Sequence, residues 1–176
     1  LTPAVVGAVV MIYSVVYMPV GLYSGRLSDR VDPARICLAA TLFSAATCLL
    51  FAFTLAGPGL WPVIGFLVLL AVSYGFFFAS NNHLVMSLAP RDNQGVASGI
   101  YSTVMNVGMV LGICLFETVF SGTLPEGVSV RHLTPEAARL VSGPLLDSFR
   151  AAFLAGGLVC TLAFLSSLVT LRSKRH

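Results

Sequence analysis

The sequence predicts an all-α membrane protein, a bundle of five transmembrane helices, on three observations. Of its 176 residues, 57% are apolar and only 10% charged, where a soluble domain carries about 45–50% and about 25%. The charges are clustered, leaving residues 1–25, 36–90, 93–116 and 151–171 without Asp, Glu, Lys or Arg. The longest of these stretches is broken by Gly57-Pro58-Gly59-Leu60-Trp61-Pro62, a density of glycine and proline that marks a turn. A water-soluble fold keeps charge on the outside of its elements. The pattern therefore excludes a soluble enzyme, a disordered chain and a nucleic-acid-binding domain.

A helix needs about 20 apolar residues to cross a hydrocarbon core about 30 Å thick. The spans read as 2–22, 36–56, 61–81, 97–120 and 149–171, with a loop outside the membrane over 121–148. Continuous apolar runs favour helices over barrel strands, which alternate over about ten residues. Trp61 suits the interfacial aromatic belt. Arg26, Arg30, Arg35, Arg91, Arg172, Lys174 and Arg175 fall on one side of five alternating spans, against Arg131, Arg139 and Arg150 on the other. The richer side is cytoplasmic by the positive-inside rule, so the N-terminus is expected outside and the C-terminus inside. The net charge of +3 reflects this bias. The chain begins at Leu1 with no basic stretch before its first span. It reads as a piece of a longer protein rather than as one led by a signal peptide. Cys37, Cys48, Cys114 and Cys160 lie in apolar spans without a CxxC spacing and read as reduced packing residues. No metal site and no cofactor are expected.

The most informative loop is Gly25-Arg26-Leu27-Ser28-Asp29-Arg30-Val31-Asp32-Pro33-Ala34-Arg35. It joins two helices as a tight hairpin. Gly21 and Gly25 form a GxxxG pair that lets helix backbones approach. Asp29 sits between two arginines, where a carboxylate pairs with a guanidinium or with the positive end of a neighbouring helix. The plainer reading is an ordinary positive-inside loop.

This loop resembles the signature loop of the major facilitator superfamily, G-x-L-a-D-r-x-G-r-k, through Gly25, Leu27, Asp29, Arg30 and Arg35. Ser28 replaces a small residue, Asp32 stands where glycine is usual, and Ala34 where a basic residue is usual. These departures fit the second of the two copies such transporters carry. The stretch Ala89-Pro90-Arg91-Asp92-Asn93-Gln94-Gly95-Val96-Ala97-Ser98-Gly99, followed by Asn106, Gly108 and Gly112, is similar to the start of the penultimate helix in the drug:proton antiporter branch with fourteen spans. The closing Ser148-Phe149-Arg150-Ala151-Ala152-Phe153 fits that branch too. The resemblance covers nearly the whole chain. It implies that the five spans are the last five helices of a major-facilitator-type fold. The first helix of the C-terminal half and the whole N-terminal half would then lie outside this chain.

The spans differ in what they offer. In span four, Asp92 or Asn93 is placed to cap the helix start. Gly95/Gly99 and Gly108/Gly112 make two small-xxx-small pairs for helix packing. Tyr101, Ser102, Thr103 and Asn106 add polar atoms. Glu117 is the one acidic residue well inside a span, about a turn from its outer end. An intramembrane carboxylate is costly and marks a functional position by default, as a proton carrier or a contact for a cationic substrate. Its plainer role is an interfacial group reaching water or Arg150. Asn106, Val110, Ile113 and Glu117 share one face. In span one, Tyr13 and Tyr17 share a face suited to an apolar or cationic substrate, or to packing, and Pro19 can bend the helix. Span three carries Ser73, Tyr74 and Gly75 at mid-membrane, and ends in Ser80, Asn81, Asn82 and His83, the histidine reading as a solvated cap. Spans two and five carry few polar residues and read as outer, lipid-facing helices, with one, three and four inside. In the outer loop, Thr134-Pro135-Glu136 signals a short surface helix that Ser142-Gly143-Pro144 would end.

These readings converge on part of a secondary transporter, a class that the resemblance implies, and not an enzyme. It is expected in a bacterial inner membrane, working by alternating access and exporting small amphipathic compounds in exchange for a coupling ion, the proton. Its partners would be the lipid bilayer, a small-molecule substrate and the missing N-terminal half, with no nucleic acid. A membrane scaffold or assembly subunit without transport is the alternative. An integral membrane enzyme is disfavoured because no His/Cys/Asp/Glu cluster gathers at one depth.

Overall fold

A computed structural model describes residues 3–54, 60–124 and 142–173. Among these residues the regular elements are helices: α1 (Pro3–Ser28), α2 (Pro33–Thr54), α3 (Leu60–Leu88), α4 (Gln94–Gly122) and α5 (Ser142–Ser173), with a single 3-10 turn at Arg91–Asn93 before α4. All five are long and apolar enough to cross a membrane. In hydrocarbon a helix satisfies its own backbone groups, and this selects helices for such sequences.

The helix ends follow local chemistry. Asp32 Oδ1 accepts the Ala34 N–H at 3.0 Å, so Asp32 caps α2 and Pro33 occupies the first helical position, where its missing N–H costs nothing. The departure from the signature loop at Asp32 thus has a structural purpose. At α4, Asn93 occupies the cap position without a side-chain cap bond. Its N–H instead closes the 3-10 turn onto the Pro90 carbonyl at 2.9 Å, so neither Asp92 nor Asn93 caps as expected. Ser142-Gly143-Pro144 opens α5 rather than ending a surface helix. Pro144 falls in the first turn, where helices tolerate proline, and Ser148 donates to its carbonyl at 3.0 Å. The helix signal at Thr134-Pro135-Glu136 lies outside the described residues.

Helix neighbours run α1 on α3, α3 on α2, α2 on α5 and α5 on α4, with α4 also touching α3. The most buried helix is α2, along a face from Ile36 to Ala52, while α1 and α4 leave most of their surface open. Among the described residues only α2, and less so α3, is enclosed by its neighbours, and α5 is nearly as open as α1 and α4. Spans two and five pack on each other where Gly157 of α5 lies flush against α2. A Cβ at Gly157 would come within 2.9 Å of Leu49 Cδ2. A Cβ at Gly75 would meet Val20 Cγ1 at 2.8 Å and the Gly21 backbone nitrogen at 3.3 Å, so α1 and α3 cross with little between their backbones. The Gly21/Gly25 pair contributes less than expected, since a Cβ at either position would meet open space.

Two polar and aromatic clusters fix the bundle. Near the 29–32 loop, Ser24 donates to the Phe76 carbonyl at 3.0 Å and Ser28 to the Ser24 carbonyl at 2.9 Å. The Ser80 oxygen lies 3.1 Å from that of Ser24 and 2.8 Å from that of Ser28. With both α1 hydroxyl protons committed to carbonyls, Ser80 is the donor to α1. All three serines are buried. Ser73 donates to the Ala40 carbonyl at 3.0 Å, tying α3 to α2. Toward the other end, Phe51 stacks on Phe66 at 4.2 Å, Phe153 meets both rings edge-on, and Phe116 meets Phe153 at 5.5 Å. This cluster joins α2, α3, α4 and α5.

Candidate functional site

A continuous row of rings crosses three helices at mid-bundle. Tyr13 stacks on Tyr17 with centroids 6.1 Å apart and planes 4° apart. Tyr17 meets Tyr74 of α3 at 5.6 Å, Tyr74 meets Phe78 at 5.8 Å, and Phe78 meets Tyr101 of α4 at 6.3 Å. The spacing of four residues in Tyr13/Tyr17 and in Tyr74/Phe78 puts each pair on one helix face. The close α1–α3 crossing at Gly75 then brings the two pairs into one row. Tyr13, Tyr17 and Tyr74, singled out from the sequence, are thus brought together. Phe78 was not singled out, although its offset of four from Tyr74 was a usable signal. Tyr101 was read only as a polar atom of span four.

Between α3 and α4 lies a groove of about 400 Å³ lined by Asn81, Val85, Ala97, Ile100, Tyr101, Val104 and Met105. The Tyr101 hydroxyl is buried without a partner of hydrogen-bond geometry. The row of rings therefore ends beside an apolar cleft, with the Tyr101 phenol and the Asn81 carboxamide in its wall.

The α4 stripe points elsewhere. Val110 is 59% and Ile113 63% exposed, and Asn106 and Glu117 are exposed as well. The stripe faces away from the other four helices and does not join the ring row. Among the described residues Glu117 forms no ion pair; Arg150, its expected partner, lies 3.7 Å from Asp147 one turn back along α5. A Cβ at Gly95, Gly99, Gly108 or Gly112 would also meet open space. Their expected packing role is not met inside this bundle, because α4 leans on its neighbours mainly through aromatic side chains, Tyr101 on Phe78 and Phe116 on Phe153.

The signature loop gives a second correction. Asp29 pairs with neither flanking arginine but lies 3.8 Å from His83 Nε2. Helix α3 runs on to Leu88, so His83 lies inside α3 and presents its ring to the loop rather than capping the helix. Arg26, Arg30 and Arg35 are exposed, Gly25 meets open space, and Leu27 accepts the Arg30 and Val31 N–H groups at 3.0 and 2.9 Å. Hence Leu27 and Asp29 hold the turn, and the arginines extend from it.

Five apolar helices of membrane length, joined at the first turn by a short charged loop, define an integral membrane helix bundle. The sequence profile of the Major Facilitator Superfamily matches residues 1–176, and the chain belongs to that family, whose members are transport proteins rather than enzymes. Among curated proteins it is similar to the riboflavin transporter RibZ of Clostridioides difficile, 25% identical over 124 residues, covering 70% of this chain and 27% of that protein. It is also similar to the multidrug efflux pump LfrA of Mycolicibacterium smegmatis, 27% identical over 175 residues, covering 89% of this chain and 35% of that protein. The uncharacterized transporter YkuC of Bacillus subtilis is 24% identical over 140 residues, covering 80% of this chain and 32% of that protein. The chain thus spans about a third or less of the length of these relatives. No solved structure matches it.

Proposed function

We propose that this chain forms the last five helices of a secondary transporter that exports small amphipathic compounds in exchange for protons, by alternating access, across a bacterial inner membrane. The observation that carries the reading is the row Tyr13–Tyr17–Tyr74–Phe78–Tyr101, which joins three helices at mid-bundle. Rings in such a row receive flat apolar or cationic molecules by stacking and cation–π attraction. Transporter substrates bind near the midplane, between halves that rock about them. The similarity to a multidrug efflux pump supports this substrate class.

In this reading α1 and α4 turn their open surfaces toward the N-terminal half. The glycines Gly95, Gly99, Gly108 and Gly112 give that half a close approach to α4. Glu117, exposed on the same helix, is the proton-carrying or cation-binding carboxylate. Asn106 lies on the same stripe nearer the midplane. The loop from Gly25 to Arg35 serves as a cytoplasmic latch, with Leu27, Asp29 and Arg30 forming its turn. The approach of Asp29 to His83 supports a loop that docks on α3 in one state. The N-terminus is then outside and the C-terminus cytoplasmic.

The test uses the full-length protein in proteoliposomes with an imposed pH gradient and ethidium, a flat aromatic cation, as probe. The parent protein should accumulate the dye, and a protonophore should abolish that accumulation. Glu117→Gln should lower gradient-driven accumulation by about tenfold or more, as for loss of a functional intramembrane carboxylate. Asp29→Asn should slow turnover without abolishing dye binding. Unchanged accumulation in Glu117→Gln would remove Glu117 from the proton path.

A further inference from the structure

On the side of α3 away from Tyr74, a groove of about 470 Å³ opens where α1, α2 and α3 meet near the 29–32 loop. Leu27, Ile36, Ala39, Phe43 and Phe76 are among its walls, and Arg35 stands at its loop end. We propose that this groove holds one acyl chain of an anionic phospholipid, with the phosphate on Arg35.

The chemistry of the groove selects the occupant. Its walls are apolar, and the Ser73 hydroxyl among them is already donated to the Ala40 carbonyl at 3.0 Å. A polar solute would find no free partner there, whereas a hydrocarbon chain needs none. Arg35 lies in the first turn of α2 and Phe43 eight residues further on, so the groove reaches about 12 Å along the helix axis. A leaflet's share of the hydrocarbon core is about 15 Å. The length therefore matches a chain running from headgroup level toward the bilayer centre.

Charge selects the headgroup. Arg35 is exposed, and among the described residues no carboxylate lies within ion-pair distance of it. The two acids of the loop are engaged elsewhere: Asp29 faces His83 at 3.8 Å, and Asp32 accepts the Ala34 N–H. A guanidinium matches the oxygens of a phosphate with two parallel hydrogen bonds, and Arg26 and Arg30 add positive charge to the same short loop. Phosphatidylglycerol meets both requirements. Phosphatidylcholine brings the same chains and phosphate but adds a cation beside the arginines.

The full-length protein, carrying a photoreactive benzophenone amino acid in place of Phe43, is reconstituted in mixed phosphatidylcholine–phosphatidylglycerol nanodiscs and irradiated. Adducts are identified by mass. Phosphatidylglycerol adducts should exceed that lipid's share of the bilayer about fivefold, the weight of one basic side chain at an anionic surface. Arg35→Gln should return the ratio to the bilayer composition, and Arg35→Lys should keep most of the preference. Because the readout is a ratio within one sample, a lower yield of folded protein leaves it intact. Adducts that mirror the bilayer composition in the parent protein, a preference that survives Arg35→Gln, or adducts to a protein segment in place of lipid would each overturn the proposal.

Discussion

Single residues set the turn between α1 and α2, and Asp32 shows how. Where the family pattern has glycine, this chain has a carboxylate that caps α2. Replacing an N-cap acid by alanine costs about 1 kcal/mol. Asp32→Ala in the full-length protein should lose about that much stability in unfolding from mixed micelles, and Asp32→Asn, which still accepts the bond, should lose a few tenths. Equal stability of the parent protein and Asp32→Ala would contradict the cap. The sequence showed Asp32 only as a departure from a pattern, although Asp-Pro before an apolar run is itself a helix-start signal. Asp29 was legible as a special carboxylate, but its partner was not. His83 lies 54 positions further along the chain, and its approach depends on how far α3 extends past its apolar run.

Whole helices were the most legible scale, because continuous apolar runs of membrane length admit few alternatives. Their mutual packing was far less legible. Four glycines of α4 fit the small-xxx-small pattern and meet no other helix here, while Gly75 and Gly157, whose partners four residues away are Ala71, Ala79 and Thr161 rather than glycine, make the close contacts. A sequence motif gives a helix a smooth face; which neighbour lies against it depends on the tertiary arrangement. The Gly75 contact gives a test. A methyl at this position would lie 2.8 Å from Val20 Cγ1, an overlap of the kind that costs about 1–3 kcal/mol in a packed interior. Gly75→Ala should destabilise the full-length protein by that order. Adding Val20→Ala should restore part of the loss by removing the overlapping methyl. A neutral Gly75→Ala would show that α1 and α3 do not cross so closely.

At the scale of the molecule, the five helices divide their surfaces unevenly. The α2–α5 seam is closed by small residues and a phenylalanine cluster, while α1 and α4 remain open along most of their length. The row of tyrosines runs between these two open helices through α3. Two of its components, the Tyr13/Tyr17 pair and Tyr74, were visible as residues of interest. Their assembly was not, because it requires three helices to turn ring-bearing faces toward one another. The claim that this row receives the substrate is tested most directly by Tyr74, its central ring. In the full-length protein, Tyr74→Ala should raise the KM for ethidium transport about tenfold, the loss of roughly 1.4 kcal/mol of aromatic contact, and Tyr74→Phe should restore most of it. A Tyr74→Ala protein that reaches the membrane in normal amount and transports with unchanged KM would contradict the account.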